Sequence, residues 1–191
     1  MLYNKHNLAV AKIASKSDIR PAISGVFFTD KKTVATDSFR LIEMSVPKDS
    51  KAENFPKDNK KSAMRGCKPF ILNASYLQKN VKVKEDSIAI SHIDDNKVEI
   101  LQVVDGMVMP KYIPRITSEQ FPDYEKIFPT AKPVAEVSVN ATYLAEICEL
   151  LGKLNNLNSV KIKFYGEGQP VLIEGEGVNQ SGRGLVMPLR K

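Results

Sequence analysis

The sequence predicts an α+β fold assembled from repeated β-α-β-β-β units, with antiparallel sheets and helices gathered on one sheet face. Three observations carry that expectation. Residues 69–79 read PFILNASYLQK and residues 136–146 read EVSVNATYLAE, an internal echo that sets Asn73 and Asn140 67 residues apart. Each asparagine follows a short apolar run and opens an apolar helical stretch, where its side-chain oxygen can accept from an unpaired amide of the first turn. After each helix come short runs that alternate apolar and polar residues or sit between turn residues, as half-buried strands require. So long a period fits none of the short solenoid repeats.

Three units follow along the chain, near 1–47, 69–115 and 134–191. In the first, Asn4 or His6 opens a helix carrying Leu8, Ala9, Ala11 and Ile13, and Gly25–Phe28, Thr33–Thr36 and Leu41–Met44 read as strands, without the Asn-Ala signature. The second places strands at Ile88–Ser91 and Val98–Leu101 behind its capped helix. The third places them at Val160–Tyr165, Val171–Ile173 and Leu185–Met187, with Gly166-Glu167-Gly168 and Gly175-Glu176-Gly177 as hairpin turns. Residues 48–68 form a polar, lysine-rich connector that reads as a solvated loop.

Composition excludes several classes. With 191 residues, 42% hydrophobic and 26% charged, the chain has enough apolar material for a core and is not a disordered type. No segment approaches the roughly 20 apolar residues of a membrane helix. Lys5, His6 and Lys12 interrupt the N-terminal stretch, which therefore lacks the form of a secretion signal. A cytoplasmic location is expected, with Cys67 and Cys148 as free thiols and Cys148 in a core. The N-x-Ser/Thr patterns at Asn73 and Asn140 then read as helix caps rather than glycosylation sites. The net charge of +6 favours polyanionic partners, nucleic acid first.

Catalytic and metal signals are missing at the level of local pattern. His6 and His92 stand in no nucleophile or metal arrangement, Asp94-Asp95 reads as an acidic turn, and the glycines complete no dinucleotide or phosphate loop. A non-enzymatic binding protein without cofactor or metal is expected.

Three stretches carry a family resemblance. Arg20-Pro21-Ala22-Ile23-Ser24-Gly25-Val26-Phe27-Phe28 with Val34-Ala35-Thr36-Asp37-Ser38-Phe39-Arg40-Leu41 resembles the start of the middle domain of the bacterial sliding clamp, the beta subunit of the replicative DNA polymerase. Phe121-Pro122-Asp123-Tyr124-Glu125-Lys126-Ile127-Phe128-Pro129 is similar to that family's segment between middle and last domains, and Leu185-Val186-Met187-Pro188-Leu189-Arg190-Lys191 to its C-terminus. The resemblance implies a shortened clamp. Residues 1–130 would be the middle domain, two half-domains joined by the 48–68 loop, and 131–191 the second half of the last domain. Ser38 and Phe39 stand where the family usually has Gly and His, which puts the local backbone in question if that turn needs positive φ.

The resemblance also implies function. A pocket for short linear peptides of polymerases and other clamp clients would comprise Ile23, Thr36, Ser38, Phe39, Arg40, Leu41, Pro122, Ile127, Leu185, Met187, Pro188 and Leu189, with Arg190 at the rim. Apolar walls with a few polar groups and an adaptable methionine suit that task. Helices would line a ring, sheets would form its outside, and Lys5, Lys12, Lys79, Lys82 and Lys153, with Arg20 and Arg183 on loops, would follow the phosphates of double-stranded DNA without reading bases. Partners would be that DNA, a polymerase, other clamp-binding proteins and a clamp loader. Rings of this family resemble one another in holding twelve half-domains, so three per chain implies a homotetramer closed by head-to-tail contacts. The competing expectations are a peptide-binding adaptor or decoy that does not encircle DNA, and a basic protein that holds DNA by charge alone.

Overall fold

The computed structural model describes residues 2–17, 19–46, 68–81, 88–92, 96–104 and 107–189. The connector before Lys68, Lys82, Arg190, Cys67 and the Asp94-Asp95 turn lie outside the described residues. The chain divides into two compact units, Met1–Lys126 and Ile127–Lys191.

The first unit opens with β1 (Leu2–Tyr3) and a helix α1 (Lys5–Ala9). Asn4 accepts from the amides of His6 and Asn7 at 3.0 and 3.2 Å, and Asn7 accepts in return from the Asn4 amide at 3.2 Å. This is a capping box with asparagine in the returning position. The helix tightens into a 3-10 turn over Val10–Ile13, so the buried face runs through Leu8, Val10, Ala11 and Ala14, with Ile13 partly buried against the same core. Strands β2 (Gly25–Phe28), β3 (Lys32–Thr36) and β4 (Leu41–Ser45) complete one β-α-β-β-β set; β5 (Phe70–Asn73), α2 (Ala74–Asn80), β6 (Ile88–His92), β7 (Lys97–Val104) and β8 (Met107–Ile116) make the second. The expected strands and caps in this unit are present, Asn73 accepting from the Tyr76 amide at 2.9 Å. β8 is an addition. Its two prolines argue against a strand in sequence, yet Pro110 and Pro114 pair opposite Leu101 and Lys97. The Arg115 amide donates to the Asn96 carbonyl at 2.7 Å. Odd-numbered residues of β8 therefore bond to β7, and both prolines turn their missing amide away from it.

The eight strands run β1-β6-β7-β8-β5-β2-β3-β4, every pairing antiparallel. β8 meets β5 only through Ile71↔Ile116 and Leu72↔Arg115, so the array forms two leaves. Each leaf takes its opening strand from the other set: β1 pairs with β6, and β5 pairs with β2 along its full length. Helix-facing side chains from both sets (Leu8, Val26, Phe28, Leu72, Leu77, Ile90 and Ile100 among them) share one core. At about 25 cal/mol per Å² of apolar surface removed from water, that common core is the main force joining the two sets.

Asn7 is a polar member of this interior. Fully buried, it donates from Nδ2 to Thr33 Oγ1, the Met44 carbonyl and the Ser45 carbonyl at 3.3, 3.3 and 3.0 Å, while Thr33 Oγ1 donates to the Asn7 carbonyl at 3.1 Å. It fixes α1 to β3 and β4 at once.

The second unit holds α3 (Ala141–Gly152), β9 (Lys161–Lys163), β10 (Val171–Glu176) and β11 (Ser181–Val186), in sheet order β11-β10-β9. Asn140 caps α3, accepting from the Thr142 and Tyr143 amides at 2.9 and 3.3 Å. Two expectations change here. The run Val160–Tyr165 forms a strand only over Lys161–Lys163, with Phe164 and Tyr165 exposed beyond it. Gly175 is not a turn residue but lies inside β10, paired with Gly182. A Cβ on Gly175 would stand 2.5 Å from the Leu151 carbonyl oxygen, and one on Gly184 2.7 Å from Ile147 Cγ2. These glycines let α3 lie against bare backbone; positive φ occurs instead at Gly166 and Gly168, in the β9–β10 loop.

Replacing Asn7 by Ala should lower the unfolding free energy in urea by about 2–3 kcal/mol, because two strand carbonyls and Thr33 lose their buried partner; a change within 0.5 kcal/mol (about the scale of a neutral surface substitution) would contradict this role.

Candidate functional site

Alternation along the strands sorts the site residues by face. In β2, Val26 and Phe28 enter the helix-side core while Phe27 faces outward; Phe27, Val34 and Glu43 stand opposite one another across β2, β3 and β4. Thr36 and Leu41 form a register pair on that same outward face. Ile23, buried in a 3-10 turn (Pro21–Ser24), reaches them through the backbone, since the Ser15 amide donates to both the Ile23 and the Thr36 carbonyls at 2.9 and 3.2 Å.

The β3–β4 turn is held by Asp37. Its Oδ1 accepts from the Phe39 and Arg40 amides, both at 3.0 Å, and its Oδ2 from Arg40 Nε at 2.9 Å. The Arg40 side chain keeps the Asp37 carboxyl below its usual range. Thr36 Oγ1 accepts from the Ser38 amide at 3.2 Å and donates to the Arg40 carbonyl at 2.9 Å. Within this frame Ser38 has φ of +77°, a left-handed conformation that a side chain disfavours. Phe39 points into solvent, 97% exposed. Ile23, Thr36, Ser38, Phe39, Arg40 and Leu41 thus gather at one end of the leaf.

The segment Glu119–Glu125 crosses the outward face. Glu119 Oε2 accepts from the Ala22 amide at 3.1 Å, Phe121 stacks on Phe27 with ring centroids 4.9 Å apart, and Tyr124 is buried. Lys32 Nζ lies 2.8 Å from both Glu125 and Glu43 and 5.2 Å above the Tyr124 ring. Glu125, and then Glu43, hold the Lys32 ammonium above its ordinary range, while burial raises the Tyr124 phenol. Pro122 lines a cavity of about 410 Å³ with Phe27, Thr29, Lys31 and Lys32, towards the Lys32 end of β3 rather than the Thr36 end. Ile127, at the start of the second unit, is exposed.

In the second unit Leu185, Met187, Pro188 and Leu189 line one cavity of about 450 Å³. The tail is fastened by the Leu189 amide, which donates to the Ser138 carbonyl at 2.8 Å, and by the Val139↔Pro188 bridge. Its opposite wall is α3, with Asn140, Tyr143, Glu146 and Ile147. Tyr143 was not anticipated as a site residue. The echo offered a signal, since its counterpart Tyr76 is also exposed at the same step after the cap.

Of the cationic residues, Lys5 opens α1, Lys12 lies in the 3-10 turn behind it and Lys79 in α2. The two helical segments touch, with Gln78 Nε2 donating to the Ala11 carbonyl at 2.7 Å, and Lys12 and Lys79 are both exposed. Lys153 caps the C-terminus of α3 and is engaged by Glu149 Oε1 at 2.8 Å. Arg20 is exposed ahead of Pro21–Ser24. Arg183 is not on a loop: it lies in β11 between Gly182 and Gly184, whose helix-facing positions turn its side chain to the other sheet face, away from α3. Among the described residues no three His, Cys, Asp or Glu side chains are placed to hold a metal, and no helix is long and apolar enough to cross a membrane.

This architecture has solved counterparts. The beta subunit of the Streptococcus pyogenes DNA polymerase superposes over 100% of this chain and 50% of its own, with a TM-score of 0.69 at 14% identity. A DNA polymerase III beta subunit from Eubacterium rectale gives 0.69 at 12% identity over 98% and 50%, and that of Borrelia burgdorferi 0.67 at 14% over 98% and 48%. The chain has the sliding-clamp fold. It spans about half the length of the clamp chains it matches. No protein-family model matches the sequence, and no curated protein matches it.

The strained clamp-like turn gives a direct test. Ser38→Gly should raise stability by about 1 kcal/mol, since glycine removes the left-handed penalty, whereas Ser38→Ala should give no gain; thermal melts of the two variants separate these outcomes.

Proposed function

We propose that the chain is a DNA sliding clamp, a non-enzymatic processivity factor that encircles duplex DNA and docks client peptides on its sheet side. The observation that carries this reading is the superposition of the entire chain on polymerase beta subunits at a TM-score of 0.69. Three half-domains per chain favour a homotetramer, which restores the twelve half-domains of such a ring. Exposed Lys12 and Lys79 on neighbouring helices supply cations for phosphates. The candidate peptide-binding residues fall into two groups, Ile23, Pro122 and the Thr36–Leu41 turn in the first unit, and Ile127 with the Leu185–Leu189 tail in the second, where Tyr143 is added. Client partners are a polymerase and other proteins with an apolar clamp-binding motif, loaded with or without a clamp loader.

The ring is tested by retention. A closed tetramer stays on nicked circular DNA in high salt and leaves once the circle is linearised. A charge-only binder loses both substrates steeply with salt, and an adaptor holds neither, so either of those results overturns the proposal. Lys12→Glu with Lys79→Glu should weaken DNA retention about equally on all sequences while peptide affinity is unchanged.

For the peptide site, Met187→Ala should cost about 1–2 kcal/mol in binding a clamp-motif peptide, and removal of 185–191 should abolish it. Full affinity in the truncated chain, read by fluorescence polarisation, rules out this placement.

A further inference from the structure

The two β-α-β-β-β sets of the first unit show what such a set requires. In each, the residues just before the cap asparagine leave their own set and pair with the strand that follows the helix of the other, β1 with β6 and β5 with β2. β5 also touches the last strand of its own set, through Leu72↔Arg115.

The second unit has one set only. Its pre-cap segment makes the corresponding contact with its own last strand, Val139↔Pro188, but has no counterpart to β2 on its other edge. β9, the strand after α3, pairs with β10 alone. The consequence is visible position by position along the echo. Ala74 is 3% exposed and Leu77 1%, whereas Ala141 is exposed and Leu144 only half-buried. Ile90, the inward residue of β6, is 1% exposed; Ile162, the inward residue of β9, is 42% exposed. Residue types that are sealed in a paired set stand open in the single one.

We propose that a second copy of this chain completes the unit, the Val137–Val139 segment of each copy pairing with β9 of the other across a two-fold axis. Both sets of the first unit already complete each other, which leaves the second unit of another copy as the matching half. The pairing is self-complementary, as an isologous contact must be. Charge does not oppose it. The outward side of the pre-cap segment carries Glu136, while β9 carries Lys161 and Lys163, which already face Glu176 and Glu174 at 3.0 and 2.6 Å and so bring no bare cation row to the joint. Two open edges and two half-covered helices close together, removing strand edges that would otherwise template aggregation. A tetramer is then a pair of two-fold dimers rather than four head-to-tail steps.

The intact chain tests this without DNA or peptide. Light scattering should give an even number of subunits, and hydrogen exchange should show the amides of Val137–Val139 and Lys161–Lys163 protected at high concentration and released together on dilution. Ile162→Lys, on an edge that a monomer leaves solvated, should raise the dissociation constant at least tenfold while α3 and the first unit keep their circular-dichroism signal. A trimer, a monomer at tens of micromolar, or unprotected Val137–Val139 amides in the assembled protein overturns the pairing. DNA retention by such an odd-numbered ring would leave the clamp reading standing while this inference fell.

Discussion

A β-α-β-β-β set places its first strand on the far side of its own helix, where its other three strands cannot fully occupy both of its edges. The strand must be taken up by a neighbour, and the neighbour's first strand must be returned. In the first unit this exchange creates the common core of Tyr3, Phe28, Leu72, Leu77 and Ile100. It fixes α1 beside α2 and leaves one face of each leaf free of helices. Both surfaces proposed for the first unit depend on that division. The helix side carries exposed lysines, and the bare sheet side carries the Thr36–Leu41 turn and the Phe121–Tyr124 crossing.

The crossing segment illustrates how a short motif divides its work. Phe121 and Tyr124 anchor it, one by stacking on Phe27 and the other by burial under the Lys32 ion pairs. Pro122 is thereby presented rather than buried. The exposed Lys32 pairs are weak individually, but two carboxylates and an aromatic ring converge on one ammonium, and the convergence sets the path of the segment.

How much of this could be read from sequence follows from the range of the signals. Asn73 and Asn140 were legible because a cap is decided within four residues. The clamp resemblance was legible because the Thr36–Leu41, Phe121–Pro129 and Leu185–Leu189 stretches are locally distinctive. The exchange of β1 and β5 was not, since no local pattern records which distant strand an edge will meet. β8 was hidden by two prolines whose outward orientation exists only in the sheet. Gly175 and Arg183 were misplaced for one shared reason: glycine in a hairpin and glycine under a helix look identical until α3 is laid on the strand. Tyr143 was overlooked because its exposure is a property of the helix face, although the echo with Tyr76 held a trace of it.

The prolines of β8 reach beyond secondary structure. Along the ladder edge turned away from β7, beyond the short contact with β5, Val108, Pro110 and Tyr112 present three carbonyls but only two amides. An incoming strand therefore finds acceptors in a regular row and donors at every second place. In any register the partner carbonyl opposite Pro110 finds no donor, so every incoming strand is left with an unsatisfied acceptor there. Met107, Val108, Met109 and Tyr112 can remain exposed there without making the strand a general template, because the missing amide at Pro110 weakens every such pairing alike.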